Sequence, residues 1–208
     1  MEKKTIFLAS SAELKEDRQQ FEIFINRKNK EWYAKGIFLE LIIWEDFLDA
    51  VSQTRLQDEY NRAIRECDIF LMLFFTKVGK YTEEEFQTAF GQFKETNKPF
   101  IFTYFKNAPI LSDNLDEDDT LSLLGFKKKL RQLGHFYTVY KNIEELQLKF
   151  NFQLEKLVTN GFIQFNKPTD KELEQAVSQT NSATISGNNN ITVQGSNSSS
   201  ININQENK

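Results

Sequence analysis

Three groups of residues have the types and spacing to do chemistry. The first is Lys77-Val78-Gly79-Lys80-Tyr81-Thr82-Glu83-Glu84-Glu85-Phe86, where an aromatic stands four residues before a glutamate and shares its helical face. A fixed carboxylate beside a ribose stabilises the oxocarbenium-like centre formed when a glycosidic bond breaks. The second is Trp44-Glu45-Asp46-Phe47, a large aromatic and two acids opening a long segment through Ser52, Arg55 and Gln57. Long segments of this kind in compact domains are often functional. The third is Ser10-Ser11-Ala12-Glu13-Leu14, with Arg18 one helical turn on. Ser10 or Ser11 either caps the following helix or joins the N–H groups of its first turn in holding a phosphate. The first group has a plain reading too: Thr82 as helix N-cap, Glu85 at the capping-box position, and three acids complementing the helix dipole. No glycine-rich fingerprint accompanies these groups, which weakens a Rossmann or P-loop assignment.

Composition removes several other chemistries. With 26 basic and 30 acidic residues the formal charge is -4, so no excess positive field awaits a nucleic acid backbone. One cysteine, Cys67, excludes an internal disulfide framework, and with one histidine, His135, it leaves too few soft ligands for a zinc site. No metal and no cofactor is expected. The longest apolar run, Ile69 to Phe75, is far short of the roughly 20 residues of a membrane span. The N-terminus enters a strand-like run without a signal-peptide pattern, so the expectation is a soluble, cytoplasmic protein with no membrane partner.

The elements that must position these residues alternate in type. Thr5 to Ala9, Ile37 to Trp44, Asp68 to Thr76, Phe100 to Phe105 and Phe136 to Tyr140 read as strands rich in Ile, Phe, Leu and Tyr. Two of them are nearly continuously apolar, as strands covered on both faces are. Between them, Leu14, Phe21, Phe24 and Ile25 share one helical face, closed by Gly36; Tyr60, Ile64 and Cys67 mark a second helix. Phe86, Ala89, Phe90 and Phe93 mark a third, Leu121, Leu124, Leu130 and Leu133 a fourth, and Leu146, Phe150, Leu154 and Leu157 a fifth. Five strand-helix units predict an α/β, doubly wound, five-stranded parallel sheet with helices on both faces. Ligands of such sheets bind beyond the carboxyl ends of the strands, where all three groups fall.

Aromatic residues stop at Phe165, and no charged residue occurs from Gln175 to Gln205. The expected organisation is a globular domain over residues 1–162, a linker over 163–180, and an Asn/Ser-rich tail over 181–208. In the tail, Asn190-Ile191-Thr192-Val193-Gln194 and Ser200-Ile201-Asn202-Ile203-Asn204 alternate polar and apolar residues. Such uncharged, proline-free segments either stay solvated or stack as cross-β between chains, with Val193 and Ile203 in the stacked layers.

The order of five strand-helix units, the Tyr81-x-x-x-Glu85-Phe86-x-x-Ala89 stretch and the segment from Glu45 to Gln57 resemble the TIR domain, in its bacterial TIR-like branch. The resemblance covers residue 4 to about 160 and implies a flavodoxin-like fold and cleavage of NAD+, a substrate here, with Glu85 catalytic. It places Tyr81 where that family usually has tryptophan. Tyr81 and Trp44 would stack on the nicotinamide or adenine ring, Ser10, Ser11 and Arg18 would complete the substrate site, and Glu45, Asp46 and Arg55 would make head-to-tail contacts in a homo-oligomer or filament. The tail around Val193-Gln194-Gly195 resembles amyloid signalling motifs, which implies an upstream sensor protein sharing the motif; the TIR-like effector as a whole would then act in bacterial antiphage immunity. Two further readings stand beside this one. They are a TIR-like signalling adaptor without catalysis, and a nucleoside N-glycosidase or deoxyribosyltransferase of similar architecture, which would also use one glutamate.

Overall fold

The computed structural model describes residues 1–43, 56–78, 80–110 and 116–166, with the side chains of Leu56, Lys80 and Tyr81 outside that description. Among these residues five strands and five α-helices alternate: β1 (Glu2–Ser10), α1 (Lys15–Trp32), β2 (Ile37–Ile43), α2 (Leu56–Glu66), β3 (Ile69–Phe74), α3 (Lys80–Thr96), β4 (Phe100–Lys106), α4 (Glu117–Gln132), β5 (Thr138–Tyr140) and α5 (Ile143–Thr159). All strand pairings are parallel, in the order β2-β1-β3-β4-β5. This is the flavodoxin-like arrangement, whose strand order reverses between β1 and β3. In sheets of this order the crevice lies beyond the carboxyl ends of those two strands.

The continuous apolar run of β3 follows from cover on both faces. Ile69, Leu71 and Leu73 face one core, with Phe21, Ile25 and Trp32 of α1 and Phe150, Leu154 and Leu157 of α5. Phe70, Met72 and Phe74 face the other, with Ile64 of α2, Phe86 and Ala89 of α3, and Phe126 and Leu130 of α4. The second core is largely phenylalanine: Phe74 lies 5.0 Å from both Phe105 and Phe126, and Phe86 5.3 Å from Phe126. Each such side chain contributes roughly 1.5–3 kcal/mol when fully buried. Between α1 and β2 the chain turns through Gly36, whose φ of +80° closes the expected left-handed cap. Packing continues past α5, where Phe165 meets the Trp32 ring edge-on at 5.1 Å and the Asn166 N–H donates to the Lys35 carbonyl.

Three sequence expectations need correction. Helix α3 begins at Lys80, so Thr82 lies inside it, buried, and is not its N-cap. In α4, Leu121 and Leu124 are 58% and 55% exposed, Leu133 just beyond the helix is also exposed, and the inward stripe is Phe126 and Leu130. The leucine pattern misleads because the inward face is set by Phe126 and Leu130, neighbours at i and i+4. Strand β5 has only three residues, and Phe136, expected within it, is 94% exposed.

Candidate active site

Helix α3 leaves the carboxyl edge of the sheet after β3 and turns Thr82, Glu85, Phe86 and Ala89 inward, the spacing of a buried helical face. Glu85 is therefore a carboxylate on an apolar stripe, about one and a half turns or roughly 8 Å into the helix. Its two neighbours are provided for elsewhere. Glu83 Oε1 receives the Lys129 ammonium of α4 at 2.6 Å, and Glu84 Oε1 accepts from Asn61 Nδ2 of α2 at 3.1 Å. Asn61 Oδ1 in turn accepts from Thr88 Oγ1 at 3.2 Å, which ties α2 to α3 at Glu84 and one turn beyond it. Glu85 is 7% exposed and makes no hydrogen bond or ion pair with any described residue. Burial, and secondarily the charge of Glu84, pushes its carboxyl up to about 7.

The floor beneath it is apolar. Phe86 lies against Phe90 and Phe126, and 6.2 Å from the His135 ring. His135 Nε2 is 2.9 Å from Thr103 Oγ1, and burial lowers the affinity of its imidazole for a proton. The only histidine thus has a structural place beside β4, without a polar contact to Glu85. Cys67 is buried, with its thiol pushed up to about 12, so it is no thiolate nucleophile at neutral pH. Among the described residues no group of three or more His, Cys, Asp or Glu side chains is placed to hold a metal ion.

The crevice between β1 and β3 carries the third sequence group. Arg18, 1% exposed, donates from Nη1 to Ser10 Oγ at 2.7 Å and to the Ser11 carbonyl at 2.8 Å. It thereby fixes the turn that leaves β1. Ser11 stands at the cap position of the short 3-10 turn Ala12–Leu14, but its hydroxyl donates to Glu13 Oε1 at 2.8 Å and caps nothing. Glu13 also accepts from the Thr76 N–H at 3.1 Å and from the Thr76 hydroxyl, so one carboxylate spans the crevice. Beyond Thr76, Lys77 pairs with Asp119 of α4 at 3.1 Å.

On the α1 and α5 side of the same edge, Asp17 is buried between Lys106 Nζ at 2.9 Å and the Tyr140 hydroxyl at 2.7 Å. Burial and that carboxylate push the phenol well above its ordinary range. Sequence reasoning missed this trio and Asn61; Gln57, read as the end of the 45–57 segment, is buried near the start of α2. One signal was available: Ser10, Lys106 and Tyr140 are each the last residue of a parallel strand, and strand ends gather at one edge. The structure brings Ser10, Ser11 and Arg18 together and carries Glu85 on the helix after β3. Tyr81 belongs to α3 through its backbone alone, and Trp44, Glu45, Asp46, Arg55, Val193 and Ile203 lie outside the described residues. No described helix is long and apolar enough to cross a membrane.

No family model matches the chain, and no curated protein does. Among solved structures, the CMP N-glycosidase BcmB of Clostridium botulinum aligns at 18% identity and a TM-score of 0.44, over 72% of this chain and 99% of that one. A conserved protein of Enterococcus faecalis aligns at 9% identity and a TM-score of 0.41, over 73% and 99%. Both likenesses are remote and leave residue roles to the chain's own geometry.

Proposed function

We propose that the domain hydrolyses the N-glycosidic bond of a ribosyl compound, with Glu85 as its catalytic carboxylate. One observation carries this reading: of three consecutive glutamates, Glu83 and Glu84 are engaged by Lys129 and Asn61, while Glu85 is buried without a described partner, and that burial pushes its carboxyl up to about 7. Groups displaced in this way cluster at functional sites because their burial has a use in the reaction. In the reaction the C1′–N bond breaks and its electron pair leaves with the nitrogen of the base. Water oxygen bonds to C1′, and the proton it loses passes to the Glu85 carboxylate. The negative charge acts most strongly on the cationic transition state, which lowers the barrier rather than merely holding substrate.

Two leaving groups fit, and they differ in the proton they need. Nicotinamide departs from NAD+ as a neutral molecule and needs none, so the ionised carboxylate suffices; the TIR resemblance favours this substrate. A neutral nucleobase needs a proton as it leaves, and a carboxyl titrating near 7 supplies one; the position of Glu85 favours this substrate. The bond and the residue are common to both. Hydrolysis of NAD+ is expected to rise with pH through about 7, and hydrolysis of a nucleoside or nucleoside monophosphate to fall above it. Incubation with each substrate from pH 5.5 to 8.5, with chromatographic detection of the free base, separates them. A protein that cleaves neither is a non-catalytic adaptor, and the proposal then fails.

A role in antiphage defence, self-assembly through residues 45–57 and through the tail, and a sensor sharing the tail motif belong to the same proposal. They draw on the sequence resemblance alone. They are tested by whether activity rises more steeply than linearly with protein concentration.

A further inference from the structure

We propose that Glu13 is a positioning residue that sets the geometry of the β3-α3 connection and, through it, of Glu85; the inference rests on the role proposed for Glu85. The crevice where the strand order reverses separates two chain segments that must stay in register. One is the turn after β1, held from below by buried Arg18 through Ser10 Oγ and the Ser11 carbonyl. The other is the end of β3, from which the chain passes through Thr76 and Lys77 to Lys80 and the start of α3. Glu13 Oε1 accepts both the Ser11 hydroxyl and the Thr76 N–H, and Oε2 accepts the Thr76 hydroxyl. Three donors on one side chain, from segments 63 residues apart, make it a clamp across the crevice. Glu85 has no described polar partner of its own, so it moves with α3, which Phe86 and Asn61 hold along its length and the connection from β3 holds at its start. Glu13 touches no reacting atom in this account and acts through Thr76.

The chemistry of the clamp distinguishes two variants. In Glu13→Gln the amide oxygen keeps the Ser11 hydroxyl and the Thr76 N–H, and the amide NH2 takes the place of Oε2 and donates to the Thr76 oxygen, whose hydroxyl rotates. In Glu13→Ala all three contacts are lost. The test follows hydrogen exchange at the Thr76 amide alongside kcat and KM for NAD+ and for a nucleoside monophosphate. In Glu13→Ala, Thr76 exchange is expected to quicken by about tenfold or more. Displacement of a catalytic group on the order of 1 Å lowers kcat by about 10–100-fold, and KM should change far less. Glu13→Gln should restore both readouts to within about threefold of wild type, since its geometry is retained.

Equal Thr76 protection in all three proteins overturns the proposal, as does an alanine variant with wild-type kcat or a glutamine variant as impaired as alanine. A rise in kcat/KM for Glu13→Ala also overturns it, because the carboxylate would then occupy space that substrate needs. If the wild type cleaves neither substrate, the reading of Glu85 fails by itself. Thr76 exchange in the two variants still decides whether Glu13 clamps the crevice.

Discussion

Replacing Glu85 by glutamine should make the protein more stable at pH 8 while it removes the proposed activity. The carboxyl has an ordinary value of 4.5 and is displaced to about 7, mostly by burial. The folded state therefore binds more protons than the unfolded state between those values, and stability falls as pH rises across that window. A displacement of that size corresponds to roughly 3 kcal/mol, fully developed above pH 7 and absent below 4.5. Glutamine has the same shape without the charge, but its amide needs partners too, so the expected gain at pH 8 is about 1–3 kcal/mol. The assay is urea unfolding of wild type and Glu85→Gln at pH 5, 6, 7 and 8. Wild type should lose stability across the series relative to the variant, and the two curves should converge near pH 5. A variant no more stable than wild type at pH 8, with parallel pH dependence, would refute the displaced, buried carboxylate on which the functional reading stands.

Other perturbations test neighbouring parts of the account. Lys106→Met leaves Asp17 buried with only the Tyr140 hydroxyl and should cost about 3 kcal/mol in chemical denaturation; adding Asp17→Asn should recover most of it. Glu83→Gln and Glu84→Gln should retain most turnover in the NAD+ and nucleotide assays, because their carboxylates serve Lys129 and Asn61. Tyr81→Ala and Trp44→Ala should each weaken substrate use by about 1–3 kcal/mol at unchanged thermal stability, the magnitude of a lost base-stacking platform. Deleting residues 181–208 should move the dependence of activity on protein concentration to higher concentration without changing the saturated rate, and Val193→Asp or Ile203→Asp should do the same, as loss of a tether-raised effective concentration would.

The sheet was legible because parallel strands covered on both faces carry a one-dimensional signal. Ile69 to Phe74 is apolar at every position, and each parity meets a different core. Helices were harder to place. Phe126 and Leu130 form the inward face of α4 while Leu121 and Leu124 lie outside it, and four leucines in a row of helical spacing hid that difference. Glu85 was legible as a residue, through its spacing from Tyr81 and its place after the third strand. Its condition was not. That Glu83 and Glu84 find partners on α4 and α2 depends on contacts 46 and 23 residues away, which no local pattern encodes. The same holds for Glu13 and Asp17, whose partners Thr76, Lys106 and Tyr140 come from the ends of β3, β4 and β5 only when the sheet assembles.

Cleavage of a base-ribose bond by Glu85 is read most directly as release of the free base. Purified wild type and Glu85→Gln are incubated at pH 7 with NAD+ and, separately, with nucleoside monophosphates, and the free base released is quantified against time. Steady release from at least one substrate is expected of wild type, with a loss of about a hundredfold or more in Glu85→Gln, as when a catalytic charge is removed from a buried site. Release at equal rates by the two proteins, or from no substrate at all by folded wild type, would contradict it.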